Sequence, residues 1–154
     1  VSQPDALLLE WSENYNQRRD RVVDFYSALP VNALETELGS AERDEGIRCV
    51  LTGFSGAARL APMVRYTRIM AYFQGNLDQL ADRLDLKRVS SGANARIVVP
   101  GDDGVFYGAR DFDGVSVASP IQVYLDLRIQ PGRGEEAATT LLERVIRPRW
   151  ERRA

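Results

Sequence analysis

The chain has 154 residues, of which 44% are hydrophobic and 27% are charged, and its net charge is −2. This length fits one domain, and this composition is typical of a globular protein rather than a disordered one. The sequence contains no histidine and one cysteine, which excludes histidine-dependent triads, histidine-ligated zinc and an internal disulfide. The net charge gives no reason to expect that the molecule as a whole binds nucleic acid.

Hydrophobic periodicity and proline punctuation predict alternating helices and strands in the first half of the chain. Pro4 suits the first turn of a helix, and Pro30 closes a run rich in β-branched and aromatic residues. Small residues from Gly56 to Ala58 favour a short helix packed close against another backbone. The predicted elements are helix 4–16, strand 21–29, helix 32–43, strand 47–51, a short helix within 52–62 and strand 64–73.

Capping signals define two helices in the second half. Asn76 with Gln79 forms a capping box, and Ser119 followed by Pro120 opens a helix that runs to about residue 128. The other predicted elements are strands 87–90, 95–99, 105–110 and 115–117, a loop at 131–134 and a last helix over 135–147. This irregular alternation predicts an α+β fold, with a mixed or antiparallel sheet flanked by several helices.

We expect residues 1–154 to form a single domain, in which residues 1–30 could form a connecting helix and strand. No apolar run approaches the roughly 20 residues of a membrane span, and the first five residues lack the segments of a signal peptide. We therefore expect a cytoplasmic protein without a membrane partner. Because the sequence does not begin with methionine, we also expect it to be a piece of a longer chain.

Candidate catalytic motifs fail on spacing. No glycine-rich loop ends in Lys-Ser or Lys-Thr, and residues 131–134 fit a loop tip better than a phosphate-binding loop. Gly39-Ser40 is followed by Asp44-Glu45 too soon for a nucleotidyltransferase. We therefore expect no catalytic residue, no metal and no cofactor.

An enzyme is nevertheless an alternative, because a Mg²⁺-dependent nuclease or nucleotide-processing enzyme requires little more than clustered carboxylates. Four aspartates lie around a predicted hairpin, although turns favour aspartate on backbone grounds alone; they are Asp102, Asp103, Asp111 and Asp113. A plain oligomerisation domain is a further alternative.

Asp126 lies in a helix that is apolar on most sides, with Gln122 one turn earlier on the same face. A carboxylate in such a helix requires partners or access to solvent. We expect Asp126 to cap a helix or to pair with an arginine, and the alternative is a functional contact at an interface.

Two segments combine arginines with aromatic rings, a combination that can grip phosphates and stack on bases. In the predicted strand 64–73, Tyr66 and Arg68 would share one face, and Arg65 precedes them. The C-terminal segment carries Arg147, Arg149 and Trp150. The alternatives are core packing with ordinary surface arginines for the strand, and a frayed, solvated tail for the C-terminus.

Two stretches, residues 51–68 and residues 117–127, resemble the AbiEi family of antitoxins, the transcriptional-regulator halves of type IV toxin–antitoxin systems. The first resembles that family's small-residue helix and following strand, and the second its Ser-Pro-initiated helix with a Leu-Asp-Leu core. Residues 91–94 and 105–110 also fit the pattern. The resemblance covers about residues 47–150.

Family members join an N-terminal winged helix-turn-helix to a C-terminal antitoxicity domain. The sequence departs from this plan, because no winged helix precedes the matching region. The resemblance implies DNA binding through that missing N-terminal domain, a cognate nucleotidyltransferase-like toxin as partner, and a possible homodimer. Only neutralisation of the toxin and any dimer contact could reside in this chain.

Overall fold

The computed structural model describes residues 20–61 and 65–153; the predicted helix over residues 4–16 lies outside this part of the chain. The strands of the described residues are β1 (Arg21–Tyr26), β2 (Arg48–Thr52), β3 (Ile69–Gln74), β4 (Lys87–Arg88), β5 (Ala95–Val99), β6 (Arg110–Phe112) and β7 (Val115–Val117). The helices are α1 (Val31–Glu45), α2 (Gly53–Leu60), α3 (Leu77–Leu84), α4 (Pro120–Arg128), α5 (Gly134–Leu141) and α6 (Arg147–Arg153).

The strands form one mixed sheet in the order β4-β1-β5-β3-β2-β7-β6. The pairs β3–β5 and β2–β7 are parallel, and the remaining neighbours are antiparallel. The register aligns Leu51 with Ala71, Ala71 with Ile97, and Ile97 with Val23, so one row of apolar side chains crosses the central strands. The fold is therefore α+β with a mixed sheet, as the alternation of elements predicts.

Helices α2, α4 and α5 pack against one another, while α1 contacts β2 and β7. Gly56 allows this close packing, because a Cβ atom there would lie 3.0 Å from the Leu51 carbonyl oxygen and 3.2 Å from Val123. No helix in the described ranges is both long and apolar enough to cross a membrane.

Both predicted caps are confirmed. The Asn76 side chain accepts a hydrogen bond from the Gln79 backbone N–H at 3.0 Å, and the helix that follows buries Leu77, Leu80 and Leu84. The Ser119 hydroxyl accepts from the Gln122 N–H at 3.2 Å, with Pro120 in the first turn of α4. These signals are local, so they act whatever the tertiary context.

Two of the predicted strands differ most from the structure. The strand predicted over 64–73 begins only at Ile69, where pairing with Ala95 of β5 begins. The strand predicted over 105–110 is replaced by a 3₁₀ turn, Asp103–Phe106, because Asp102 accepts a hydrogen bond from the Gly104 N–H and caps that turn.

The last helix extends further than residues 135–147. A π-helical turn, Leu142–Ile146, joins α5 to α6. Pro148 lacks an N–H, and its ring crowds the carbonyl four residues earlier, so a locally widened helix accommodates it. Arg147, Arg149 and Trp150 therefore lie on a helix, and the alternative of a frayed tail is wrong.

Candidate functional site

A cleft of about 360 Å³ opens between three segments that are distant in the sequence. They are the loop 65–68 before β3, the start of β5, and the turn 130–133 between α4 and α5. Apolar side chains, Phe54, Ile69 and Met70, line part of it. We call this feature the arginine cleft, because its lining includes four guanidinium groups and one carboxylate: Arg65, Arg68, Arg96, Arg133 and Asp24.

The four arginines differ in whether they pair with a carboxylate of the described residues. Arg96 binds Asp24 with two hydrogen bonds, of 2.9 and 3.3 Å, and Arg133 lies 3.6 Å from Glu136. Arg65 and Arg68 are exposed, and neither forms an ion pair with a carboxylate within the described part of the chain. The hydrogen bond from Arg96, followed by the charges of Arg96 and Arg68, lowers the pKa of Asp24.

Tyr66 fixes the loop that carries Arg65 and Arg68. Its hydroxyl donates a 2.7 Å hydrogen bond to the buried carboxylate of Glu35 on α1. Arg59 of α2 lies 3.3 Å from the same carboxylate. Burial, followed by the hydrogen bond to Glu35, raises the pKa of Tyr66 to about 12. The expectation that Tyr66 and Arg68 share a strand face is therefore wrong, since residues 65–68 precede the strand and Tyr66 is tied to the protein interior.

A second polar group lies wholly inside the protein, and we call it the buried carboxyl cluster: Asp126, Thr52, Tyr72 and Gln122. Asp126 has no exposed surface. Its carboxyl group accepts hydrogen bonds from the Thr52 hydroxyl at 2.5 Å and from the Tyr72 hydroxyl at 2.7 Å. The Gln122 amide donates to both carboxyl oxygens, at 3.3 and 3.4 Å.

The described partners of Asp126 are two hydroxyls and the predicted neighbour Gln122. Pairing of Asp126 with an arginine stays a prediction. This cluster joins α4 to the two central strands β2 and β3. It does not open into the arginine cleft, whose lining includes none of its members.

The structure does not bring the C-terminal candidates to the cleft. Arg147, Arg149 and Trp150 are half-buried on α6, where the Trp150 ring packs against the core. None of the three lines the arginine cleft.

The four aspartates of the nuclease alternative are exposed. Asp102 and Asp111 accept hydrogen bonds from the backbone N–H groups of Gly104 and Gly114, and Asp103 accepts from the Gln74 amide. Within the described ranges, no group of three or more histidine, cysteine, aspartate or glutamate side chains could hold a metal ion.

The thiol of Cys49 is buried. Burial, followed by the negative charge of Glu42, raises the pKa of Cys49 to about 12. A thiol in this environment is a buried hydrophobe rather than a nucleophile.

Sequence patterns missed much of the cleft. Asp24 and Arg96 are 72 residues apart and meet only through the β1–β5 register. Arg133 belongs to the Pro-Gly-Arg-Gly stretch, and its arginine between two glycines was a signal that this loop could expose a cation. No sequence pattern marked Phe54 as a residue that lines the cleft.

Comparison with known proteins identifies one family. A family model described as "Transcriptional regulator, AbiEi antitoxin, Type IV TA system" matches residues 1–147, and so includes the N-terminal part that the sequence resemblance did not cover. No curated protein and no solved structure matches in the same comparisons. With nearly its whole length matched, the chain belongs to the AbiEi antitoxin family of transcriptional regulators of type IV toxin–antitoxin systems.

Proposed function

We propose that this chain is a non-catalytic, single-domain antitoxin unit that neutralises a nucleotidyltransferase-like toxin in the cytoplasm by binding another molecule. The observation that supports it most is the arginine cleft, a concentrated positive surface on a protein whose net charge is −2. Oriented cations on such a surface attract anionic partners whatever the total charge. Operator DNA would be bound by a winged helix-turn-helix domain outside this chain.

The cleft is organised for binding rather than for bond breaking. Arg65 and Arg68 project from a loop that Tyr66 anchors to the buried Glu35, so their positions are set before a partner arrives. The carboxylate among the described lining residues, Asp24, is held by Arg96. Asp126 serves this function as internal support for β3 and α4. Arg147, Arg149 and Trp150 on α6 form a second candidate contact surface, which could serve a homodimer.

Co-expression with the neighbouring toxin gene tests the proposal. Cells that express the toxin should grow when this protein is present, and the double variant Arg65→Gln/Arg68→Gln should protect less at equal protein level. The matched control is Arg21→Gln/Arg110→Gln, which removes the same charge from two exposed arginines outside the cleft and should protect fully. Undiminished toxicity in the presence of folded wild-type protein would contradict the proposal.

A further inference from the structure

From the shape and charge of the arginine cleft we propose that it binds a nucleoside phosphate, with the phosphate on Arg65 and Arg68 and the nucleoside against the apolar lining. The inference deepens the proposed function, because it names the ligand class of the surface through which the protein would act. The ligand could be a free nucleotide or the terminal nucleotide of an RNA strand, since both present the same chemistry.

The volume limits the size of the ligand. Small-molecule sites generally span about 300–1,000 Å³, and the cleft, at about 360 Å³, lies at the lower end. One nucleotide unit fits this range better than a dinucleotide. A longer strand could place only its terminal residue inside.

The phosphate assignment follows from the two cleft arginines that form no ion pair with any carboxylate in residues 20–61 and 65–153. Arg65 and Arg68 are exposed and flank the anchored Tyr66, so both guanidinium groups are available to an incoming anion. A guanidinium group presents paired N–H donors that match two phosphate oxygens. Arg133 can add a third contact, because its ion pair with Glu136 is long, 3.6 Å, and exposed.

The nucleoside assignment follows from the rest of the lining. Phe54 and Met70 are half-buried, and they provide an aromatic and aliphatic surface against which a base can stack. The Gln130 amide lies beside Met70, its nitrogen 3.2 Å from the sulfur, and supplies a polar group at the edge of that surface. An acidic peptide would use the arginines but would leave the apolar lining uncovered.

Isothermal titration of the purified 154-residue chain tests the proposal directly. GDP and ADP are the nucleotide probes, guanosine and pyrophosphate are the separate halves, a 5′-phosphorylated RNA pentamer represents the strand end, and a poly-glutamate peptide represents an acidic partner. We expect a nucleotide or the RNA to bind more tightly than either half alone, and binding to weaken as NaCl is raised. A preference for mononucleotide over RNA, or the reverse, identifies the source.

Variants locate the site. Arg65→Gln/Arg68→Gln should weaken nucleotide binding about 100-fold, at about tenfold for each lost charge-assisted contact, while the Arg21→Gln/Arg110→Gln control should bind like the wild type. Phe54→Leu, which keeps an apolar side chain, should weaken GDP binding and leave pyrophosphate binding unchanged. Circular dichroism verifies that each variant is folded.

Three results would overturn the inference: no binding of any nucleotide or RNA at millimolar concentration, equal affinity for GDP and pyrophosphate, or binding of the acidic peptide alone. Because the titration uses the purified protein without a toxin, its failure is distinct from a failure of toxin neutralisation. An antitoxin that protects cells but binds no nucleotide would refute this inference and leave the proposed function intact.

Discussion

The buried carboxyl cluster and the arginine cleft both include residues of β3, and they differ in whether their polar groups are paired within the protein. In β3, Tyr72 donates to Asp126 inside the protein, while Met70, two residues earlier and on the same face, lines the cleft. In the cluster the carboxyl group is surrounded by described donors. In the cleft two arginines have no described ion-pair partner.

This difference indicates that the buried carboxyl cluster stabilises the fold, whereas the arginine cleft can bind a partner. A polar group without water must find its partners within the protein, because a buried donor or acceptor left unpaired is costly. An exposed guanidinium group is hydrated and meets no such requirement, so it remains available to an anion. Asp126 attracts notice in the sequence as a carboxylate in an apolar helix, and Arg65 and Arg68 as charges beside an aromatic ring. Burial distinguishes their roles.

The largest expected effect on stability is at the buried carboxyl cluster. Asp126→Ala removes the common acceptor of the Thr52 and Tyr72 hydroxyls and leaves them buried. The free energy of unfolding should fall by about 2–5 kcal/mol, because each buried hydroxyl that loses its acceptor costs about 1–3 kcal/mol; urea denaturation measures the loss. Asp126→Asn should lose less, since it keeps the shape and one oxygen. Asp82→Ala, on an exposed position of α3, is the control; a loss at Asp126 no larger than at Asp82 would contradict the structural role.

Tyr66→Phe acts where the arginine cleft meets the protein interior, because the Tyr66 hydroxyl bonds the buried Glu35 while the residue lines the cleft. Losing the hydroxyl leaves Glu35 with Arg59 at 3.3 Å, and we expect a loss of about 1–2 kcal/mol in the free energy of unfolding. Tyr107→Phe makes the same change at a side chain that is 77% exposed and should have no effect. Equal stabilities of the two variants would show that the anchor contributes nothing.

Local signals account for what the sequence predicts well. The caps at Asn76 and Ser119 were predictable because the interacting groups lie three residues apart. Residues 105–110 were not, because Val105 and Phe106 favour a strand while the neighbouring Asp102 and Gly104 form the capped turn. Composition cannot decide between them; in the described sheet, the pairing of β6 with β7 begins at Arg110.

The functional residues also divide into those that local sequence predicts and those that depend on distant contacts. Arg65, Tyr66 and Arg68 could be found as one cationic, aromatic run, but their orientation depends on Glu35, which is 31 residues from Tyr66. Gln122 was predictable as the neighbour of Asp126 one helical turn away, whereas Thr52 and Tyr72 reach Asp126 across 74 and 54 residues. The packing of helices α1 and α4 against the sheet and the loop before β3 creates these contacts, and a single sequence does not encode that packing visibly.

A smaller effect is expected at the ion pair that lines the cleft. Arg96 lowers the pKa of Asp24 below its ordinary value of 3.8, so the pair stabilises the fold above about pH 4 and the contribution disappears as the pH falls through the lowered pKa. Asp24→Asn should therefore be less stable than the wild type at pH 7, by about 0.5–1 kcal/mol because both side chains are partly exposed.

The difference between Asp24→Asn and the wild type should vanish once the pH is below the lowered pKa of Asp24, which urea denaturation at several acidic pH values can follow. Asp78→Asn, in the more exposed pair Asp78–Arg88, is the control and should change stability less. A gap between Asp24→Asn and the wild type that is constant from pH 7 to pH 2 would contradict the electrostatic origin.

The smallest expected signal comes from Cys49, which should not react with a thiol reagent in the folded protein. Burial raises the pKa of Cys49 to about 12, so the thiol is protonated at pH 8, and burial also blocks access to the sulfur. Thr67→Cys in a Cys49→Ala background places the same group in the cleft, exposed and between Arg65 and Arg68. That thiol should react within minutes, because neighbouring cations favour the thiolate, whereas Cys49 should react only in denaturant. Rapid labelling of native Cys49 would show that the core around β2 opens, and an unreactive Thr67→Cys would show that the cleft is closed.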